Sequence, residues 1–124
     1  MTKAECLLKQ AKFSKRYQGY RYLLRCIELA AEDDSRLCAL TKQIYQPIAQ
    51  KYKLSCRCIE RNIRIARDYA WQNGGKEFIE EISGGKFCTA PSVGELIEIL
   101  AEHLAESPRA ENGGGLCAAE NVPG

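Results

Sequence analysis

Histidine is almost absent from the sequence, which contains only His103, and no two of its seven cysteines form a Cys-x-x-Cys pair. Structural zinc sites take four Cys or His ligands at regular spacing, so the sequence predicts no metal site. An odd number of cysteines without a leader peptide also argues against a disulfide scaffold. We therefore expect most of the thiols to act as small apolar residues in the core.

Long apolar runs are missing as well, since no segment approaches the length of about 18 residues that a membrane helix needs. The first six residues are too polar for a leader peptide, so we expect a cytoplasmic protein without membrane contact. The sequence also has no glycine-rich phosphate loop, no nucleophile elbow and no recognisable pair of catalytic carboxylates. It therefore predicts neither an enzyme nor a bound cofactor.

A large net charge is lacking too, because the formal net charge is only +2. The distribution is uneven: residues 41–70 carry seven basic and two acidic side chains, whereas residues 71–124 carry three basic and nine acidic ones. One basic block in an otherwise balanced chain indicates local contact with a polyanion. The alternative from charge alone is an ordinary solvated helix surface.

What the sequence does contain is helical periodicity. Its 124 residues are 45% apolar and 27% charged, which is typical of a globular domain with tails. Apolar residues recur at spacings of three and four along most of residues 2–104, which predicts an all-α fold. Pro47 is expected to break the chain near Tyr45 and to start a short helix that ends near Lys53.

A second helix is predicted to follow at once, from about Ser55, a favourable N-cap, to Trp71. Two helices joined by such a short turn form a helix-turn-helix unit. On a helical wheel, Arg61, Arg64 and Asp68 lie within about 40° of Arg57. The opposite side of the wheel carries apolar residues only, namely Ile59, Ile63, Ala66 and Ala70.

The arginine side of this helix has two interpretations. Arginine can make two parallel hydrogen bonds to guanine or bind a phosphate, and Glu60 can accept a hydrogen bond from cytosine in the major groove. Alternatively, Arg57–Glu60 and Arg64–Asp68 ion pairs would make it a solvated surface.

Four segments carry a resemblance to a known family. They are QGYRYLL from Gln18, LTKQIYQPIAQKY from Leu40, IERNIRIA from Ile59 and AW from Ala70. In order and spacing, from about residue 17 to residue 106, the chain resembles the C-terminal effector domain of the stage zero sporulation protein A response regulator. The resemblance implies a compact bundle of about six helices, of the winged-helix-like response-regulator effector type. It also implies transcription regulation by binding boxes similar to TGTCGAA, often in tandem.

The chain departs from the family pattern at the start of its second helix. Cys58 stands where the family has an arginine, and Arg57 lies one residue earlier. We therefore expect an altered or relaxed base preference with phosphate binding retained. The residues expected to contact DNA are Ser55, Arg57, Cys58, Glu60, Arg61, Arg64, Thr41, Lys42, Lys51 and Lys53.

The predicted organisation has three parts: an N-terminal helical extension at residues 1–16, the DNA-binding domain at residues 17–106 and a disordered tail at residues 107–124. We expect the domain to act without the family's receiver domain. Double-stranded DNA is the expected partner, with a polymerase sigma factor and a homodimer on tandem sites as further possibilities. The alternative is a protein-interaction module of the same fold that binds a sigma factor or a full-length homologue.

Overall fold

The computed structural model describes residues 2–106, so the predicted tail at residues 107–124 lies outside the described residues. Within residues 2–106 the chain forms helices and no strand. This confirms the all-α fold, and no β wing is present in that range. The six α-helices are α1 (Lys3–Gln10), α2 (Gln18–Glu32), α3 (Gln46–Tyr52), α4 (Cys56–Ala70), α5 (Lys76–Ser83) and α6 (Val93–Glu106). None of them is long and apolar enough to cross a bilayer.

The predicted break before Pro47 is wrong. The backbone at Tyr45 and Gln46 is right-handed helical, and α3 continues from a π turn at Thr41–Tyr45. The N–H of Gln46 donates to the carbonyl of Thr41, five residues back. A proline ring ordinarily clashes with the carbonyl four residues earlier, and the wider π turn makes room for it.

The turn between α3 and α4 has the predicted form. Lys53 adopts a left-handed conformation with φ 58°, and the N–H of Leu54 donates to the carbonyl of Ala49 at 2.8 Å. Ser55 then caps α4, because its hydroxyl accepts the Cys58 N–H at 3.1 Å. The two helices of the helix-turn-helix unit are therefore joined by three residues, as the sequence predicts.

Helix α2 lies at the centre of the core and packs chiefly against α4 and α6. The largest fully buried side chains come from α1 to α6 and from the π turn. They are Leu8, Leu23, Cys26, Ile27, Ile44, Ile48, Ile59, Ile63, Ile79, Leu96, Ile97 and Leu100.

The expectation that most cysteines pack in the core is wrong for the described part of the chain. Within residues 2–106 only Cys26 is buried, and burial raises the pKa of its thiol. Cys6, Cys38 and Cys88 are exposed, and Cys56 and Cys58 are half-buried. Among residues 2–106, no three His, Cys, Asp or Glu side chains come together as a metal-binding group.

Two glycines bring helix backbones into direct contact. A Cβ on Gly19 of α2 would lie 2.9 Å from the Cα of Ile63 and would overlap the carbonyl oxygen of Asn62. A Cβ on Gly75 would overlap the carbonyl oxygen of Ala11. The first contact fixes the position of α4 on α2, and the second fixes the end of α1 against the segment that follows α4.

Helix α1 begins with a capping box. The Thr2 hydroxyl accepts the Glu5 N–H at 3.1 Å, and the Glu5 carboxylate accepts the Thr2 N–H at 2.8 Å. The bond from the Thr2 backbone is the main reason that the pKa of Glu5 lies below its ordinary value. The ionised form of Glu5 therefore stabilises the fold.

This lowered pKa predicts a pH dependence. The stabilisation is complete above the ordinary pKa of glutamate and is lost as pH falls through the lowered folded-state value. In Glu5→Gln this part of the acid sensitivity should be absent. Urea unfolding midpoints of both proteins between pH 6 and pH 3 measure it, and parallel curves over that range would contradict the prediction.

Candidate nucleic-acid interface

Helix α4 has one buried side and one exposed side, as its sequence predicts. The buried side consists of Ile59, Ile63, Ala66 and Ala70, each no more than 2% exposed. On the other side, Arg57, Arg61 and Arg64 are exposed. The small alanines allow α4 to lie close against the core, and the guanidinium groups consequently project away from it.

The ion pairs on α4 differ from those expected. Glu60 pairs with Arg64 at 3.5 Å, not with Arg57. Asp68 pairs with Arg67 at 2.8 Å, not with Arg64. For Asp68 the reason is geometric. The Arg67 guanidinium donates to the carbonyl of Pro91 at 2.8 Å, and this bond holds the guanidinium beside Asp68.

Two arginines of this side have no carboxylate partner in the part of the chain that the structure describes. Neither Arg57 nor Arg61 makes a salt bridge within residues 2–106. The interpretation of a fully ion-paired surface therefore does not describe this helix. Two unpaired guanidinium groups lie about one helical turn apart along the same side of α4.

Cys58 and Glu60 are half-buried at the edge of the exposed side. The Asn62 amide donates to the Cys58 carbonyl at 2.8 Å and contacts the Cys58 sulfur at 3.4 Å. Burial raises the pKa of the nearby Tyr45 phenol, and the charge of Glu60 adds to this effect. Tyr45 is therefore a neutral group beneath the helix-turn-helix unit.

The remaining predicted contact residues flank α4. Thr41, Lys42, Lys51 and Lys53 are all exposed, as is Ser55. The Lys51 ammonium lies 5.5 Å from the centre of the Tyr52 ring.

These flanking residues form two separate groups. Lys51 and Lys53 lie at the turn, next to the start of α4, whereas Thr41 and Lys42 lie in the π turn. At 1.5 Å per residue, Lys42 is about 16 Å from Lys53 along the helical segment. The structure thus places the turn lysines next to the start of α4, and Thr41 and Lys42 in the π turn, which also contacts α4.

Sequence reasoning missed three features that position α4. The first is the close contact at Gly19, and the second is Arg67, whose guanidinium bonds to Pro91. The third is an aromatic contact between Tyr17 and Tyr69, with ring centres 5.1 Å apart. A glycine beside an apolar stripe is a signal for the first, but no local pattern marks a partner 24 residues away, as for Arg67.

One comparison with known proteins bears on this surface. A protein-family model described as the C-terminal region of the sporulation initiation factor Spo0A matches residues 5–104. The match covers most of α1 and nearly all of the described chain, and it confirms the resemblance found in the sequence. It also includes residues of the predicted N-terminal extension, so the boundary at residue 16 stays a prediction.

Proposed function

The chain belongs to the family of Spo0A C-terminal sporulation effector domains, which bind DNA, and we propose that α4 reads a short DNA sequence in the major groove to regulate transcription. The observation that carries the proposal is the pair of exposed arginines, Arg57 and Arg61, which make no salt bridge with any carboxylate of the described residues 2–106. They project from a helix whose other side is fixed in the core. A rigid helix with exposed guanidinium groups suits a major groove in both shape and charge.

The proposed contacts divide into base and phosphate contacts. Arg61 is suited to bind guanine through two parallel hydrogen bonds, and Glu60 can accept from cytosine while it stays near Arg64. We propose that Lys51 and Lys53, which are exposed at the turn before α4, bind phosphates. Such phosphate contacts set the register of the domain and carry no sequence information.

Cys58 and Arg57 are expected to change the sequence preference. One residue along a helix corresponds to a rotation of about 100°, so Arg57 does not project in the direction of residue 58. A thiol cannot replace the two parallel hydrogen bonds of an arginine. We propose that the base opposite Cys58 is read weakly and that Arg57 contacts a neighbouring base or a phosphate.

Salt dependence of DNA binding tests this proposal. Each neutralised phosphate contributes about −0.9 to the slope of log K against log salt concentration. With the two or three phosphate contacts proposed for Lys51, Lys53 and Arg57, the slope should be roughly −1.8 to −2.7 for this domain. Fluorescence anisotropy with duplex DNA between 50 and 200 mM salt measures the slope, and binding that is absent or insensitive to salt would contradict the proposal.

Ser55 separates helix stability from DNA binding. Ser55→Ala removes the N-cap of α4 and should lower the free energy of unfolding by about 1 kcal/mol. Ser55→Asp keeps a capping oxygen and should retain the stability, but its negative charge at the start of α4 should weaken DNA binding. Urea unfolding and anisotropy on both variants measure this, and equal DNA affinity of Ser55→Asp and wild type would place the start of α4 away from DNA.

The second candidate is a protein-interaction module, and the acidic surface of α5 favours it. Glu77 and Glu81 are exposed there, while Glu80 is held by the Phe87 N–H at 2.9 Å. We propose that this surface contacts a basic segment of a protein partner such as a sigma factor. A homodimer on tandem DNA sites is compatible with the same arrangement, because the acidic surface of α5 is separate from the side of α4 that is proposed to bind DNA.

A further inference from the structure

We propose that Arg67 is a positioning residue for DNA binding: it holds the Asp68 carboxylate away from Arg64 and neutralises it beside the DNA-facing side of α4. The inference rests on the proposed function. Arg67 does not lie on the same side of α4 as Arg57 and Arg61. Its effect on DNA binding is exerted through Asp68.

The Arg67 side chain is fixed by three hydrogen bonds. Its Nη1 donates to the Pro91 carbonyl at 2.8 Å, and its Nε and Nη2 donate to Asp68 Oδ1 at 3.0 and 2.8 Å. Only 15% of the side chain is exposed. Because Pro91 precedes α6, the guanidinium is held between α4 and another part of the fold and cannot follow Asp68 into solvent.

Asp68 needs such a partner because of its position. It lies within about 20° of Arg57 on the helical wheel, and 52% of its side chain is exposed. It also follows Arg64 by four residues, a spacing at which opposite charges attract each other on a helix. Without Arg67, the one cation of α4 at a spacing that favours pairing with Asp68 is therefore Arg64.

Arg64 already has one carboxylate neighbour, Glu60, at 3.5 Å. A second one would surround its guanidinium with two negative charges and leave the local site net negative. Such a site repels phosphates and competes for the hydrogen bonds that a base would accept. By holding Asp68, Arg67 keeps the charge of this part of α4 favourable for DNA.

A double-mutant cycle tests this role. Arg67→Met keeps much of the packing volume but loses every hydrogen bond, and it should bind DNA roughly 3- to 10-fold more weakly. Asp68→Asn should bind at least as tightly as wild type. The double variant should regain an affinity close to that of Asp68→Asn, while Arg67→Lys, which keeps the charge, should lie between wild type and Arg67→Met.

The rescue distinguishes this role from simple anchoring. Neither Arg67→Met nor the double variant can bond to Pro91, so a loss of anchoring alone would leave both equally weak. That result, or unchanged binding by Arg67→Met, would overturn the inference. Thermal unfolding of the two variants should show similar losses of stability, because Asp68→Asn restores no contact with Pro91.

A second measurement needs no DNA. The NMR signal of the Arg64 side-chain Nε–H should shift in Arg67→Met as Asp68 moves onto Arg64, and the shift should vanish in the double variant. An unchanged signal would overturn the inference. If the signal shifts as expected but the wild type binds no DNA, the proposed function fails while the competition between Arg64 and Arg67 for Asp68 stands.

Discussion

Replacing both Arg61 and Arg64 by alanine is expected to weaken DNA binding by about 30-fold or more, since each base-contacting arginine contributes about 1–3 kcal/mol and two contribute at least about 2 kcal/mol. The helix content should not change, because both side chains are exposed and alanine is the best helix former. Anisotropy with a bound duplex measures the affinity, and far-UV circular dichroism measures the helix content.

The matched control for each arginine is Arg25→Ala. Arg25 is an exposed arginine of α2 whose surface ion pair with Glu28 spans 3.4 Å. It lies about 120° around α2 from Gly19, the residue in contact with α4. The control loses a positive charge but no proposed DNA contact, so its affinity should stay within about twofold of wild type. If Arg25→Ala and Arg61→Ala lost the same amount of DNA affinity, the loss would reflect the overall charge of the domain and not a contact by Arg61.

Gly19→Ala is expected to lower the free energy of unfolding by about 3 kcal/mol and the unfolding temperature by more than about 10 °C. The added Cβ would overlap the Asn62 carbonyl oxygen and lie 2.9 Å from the Cα of Ile63. Both are backbone atoms of α4, so neither can move aside without displacing the helix. Thermal unfolding by circular dichroism measures the loss.

Gly85→Ala is the control for this variant. Apart from Gly85 itself and its two chain neighbours, no described residue has an atom within 4 Å of the position that its Cβ would occupy, so the same chemical change should leave the stability nearly unaltered. Gly19→Ala should also reduce DNA affinity at temperatures where the protein remains folded, because displaced backbone at Asn62 moves the arginines of α4. Stability equal to that of the control would show that α2 and α4 are not in direct backbone contact.

The parts of the fold that were predictable are those set by local chemistry. Isoleucine and alanine at three- and four-residue spacing placed the buried side of α4, and a hydroxyl at Ser55 placed its start. Asn73 and Gly74 end the helical path that continues from α4 beyond Ala70, because Gly74 adopts φ 106°, a conformation that glycine adopts without strain.

Tertiary context decided the rest. Pro47 by itself predicts a break in the helix, but a π turn before it keeps the helical path. Glu60 has arginines both three residues before and four residues after it, so spacing alone cannot select its partner. For Asp68, the choice of Arg67 depends on the carbonyl of Pro91, which no local pattern reveals.

The candidate site was predictable in outline for the same reason. Exposure of Arg57, Arg61 and Arg64 follows from the periodicity of α4, and the structure agrees. The ion pairs decide which of these arginines are available to a ligand, and the sequence alone does not determine the ion pairs. The family match at residues 5–104 indicates DNA as the class of ligand, whereas the base preference is proposed to depend on residues 57 and 58, where the sequence differs from the family pattern that it resembles.

Selection of bound duplexes from a random pool, with purified wild type and Arg61→Ala in parallel, tests the central claim most directly. The exposed arginine side of α4 predicts that wild type enriches one short motif with a guanine–cytosine core, and that Arg61→Ala loses the preference at one position of it. Enrichment of no motif by wild type, or of the same motif by both proteins, would contradict the claim that this side of α4 reads DNA.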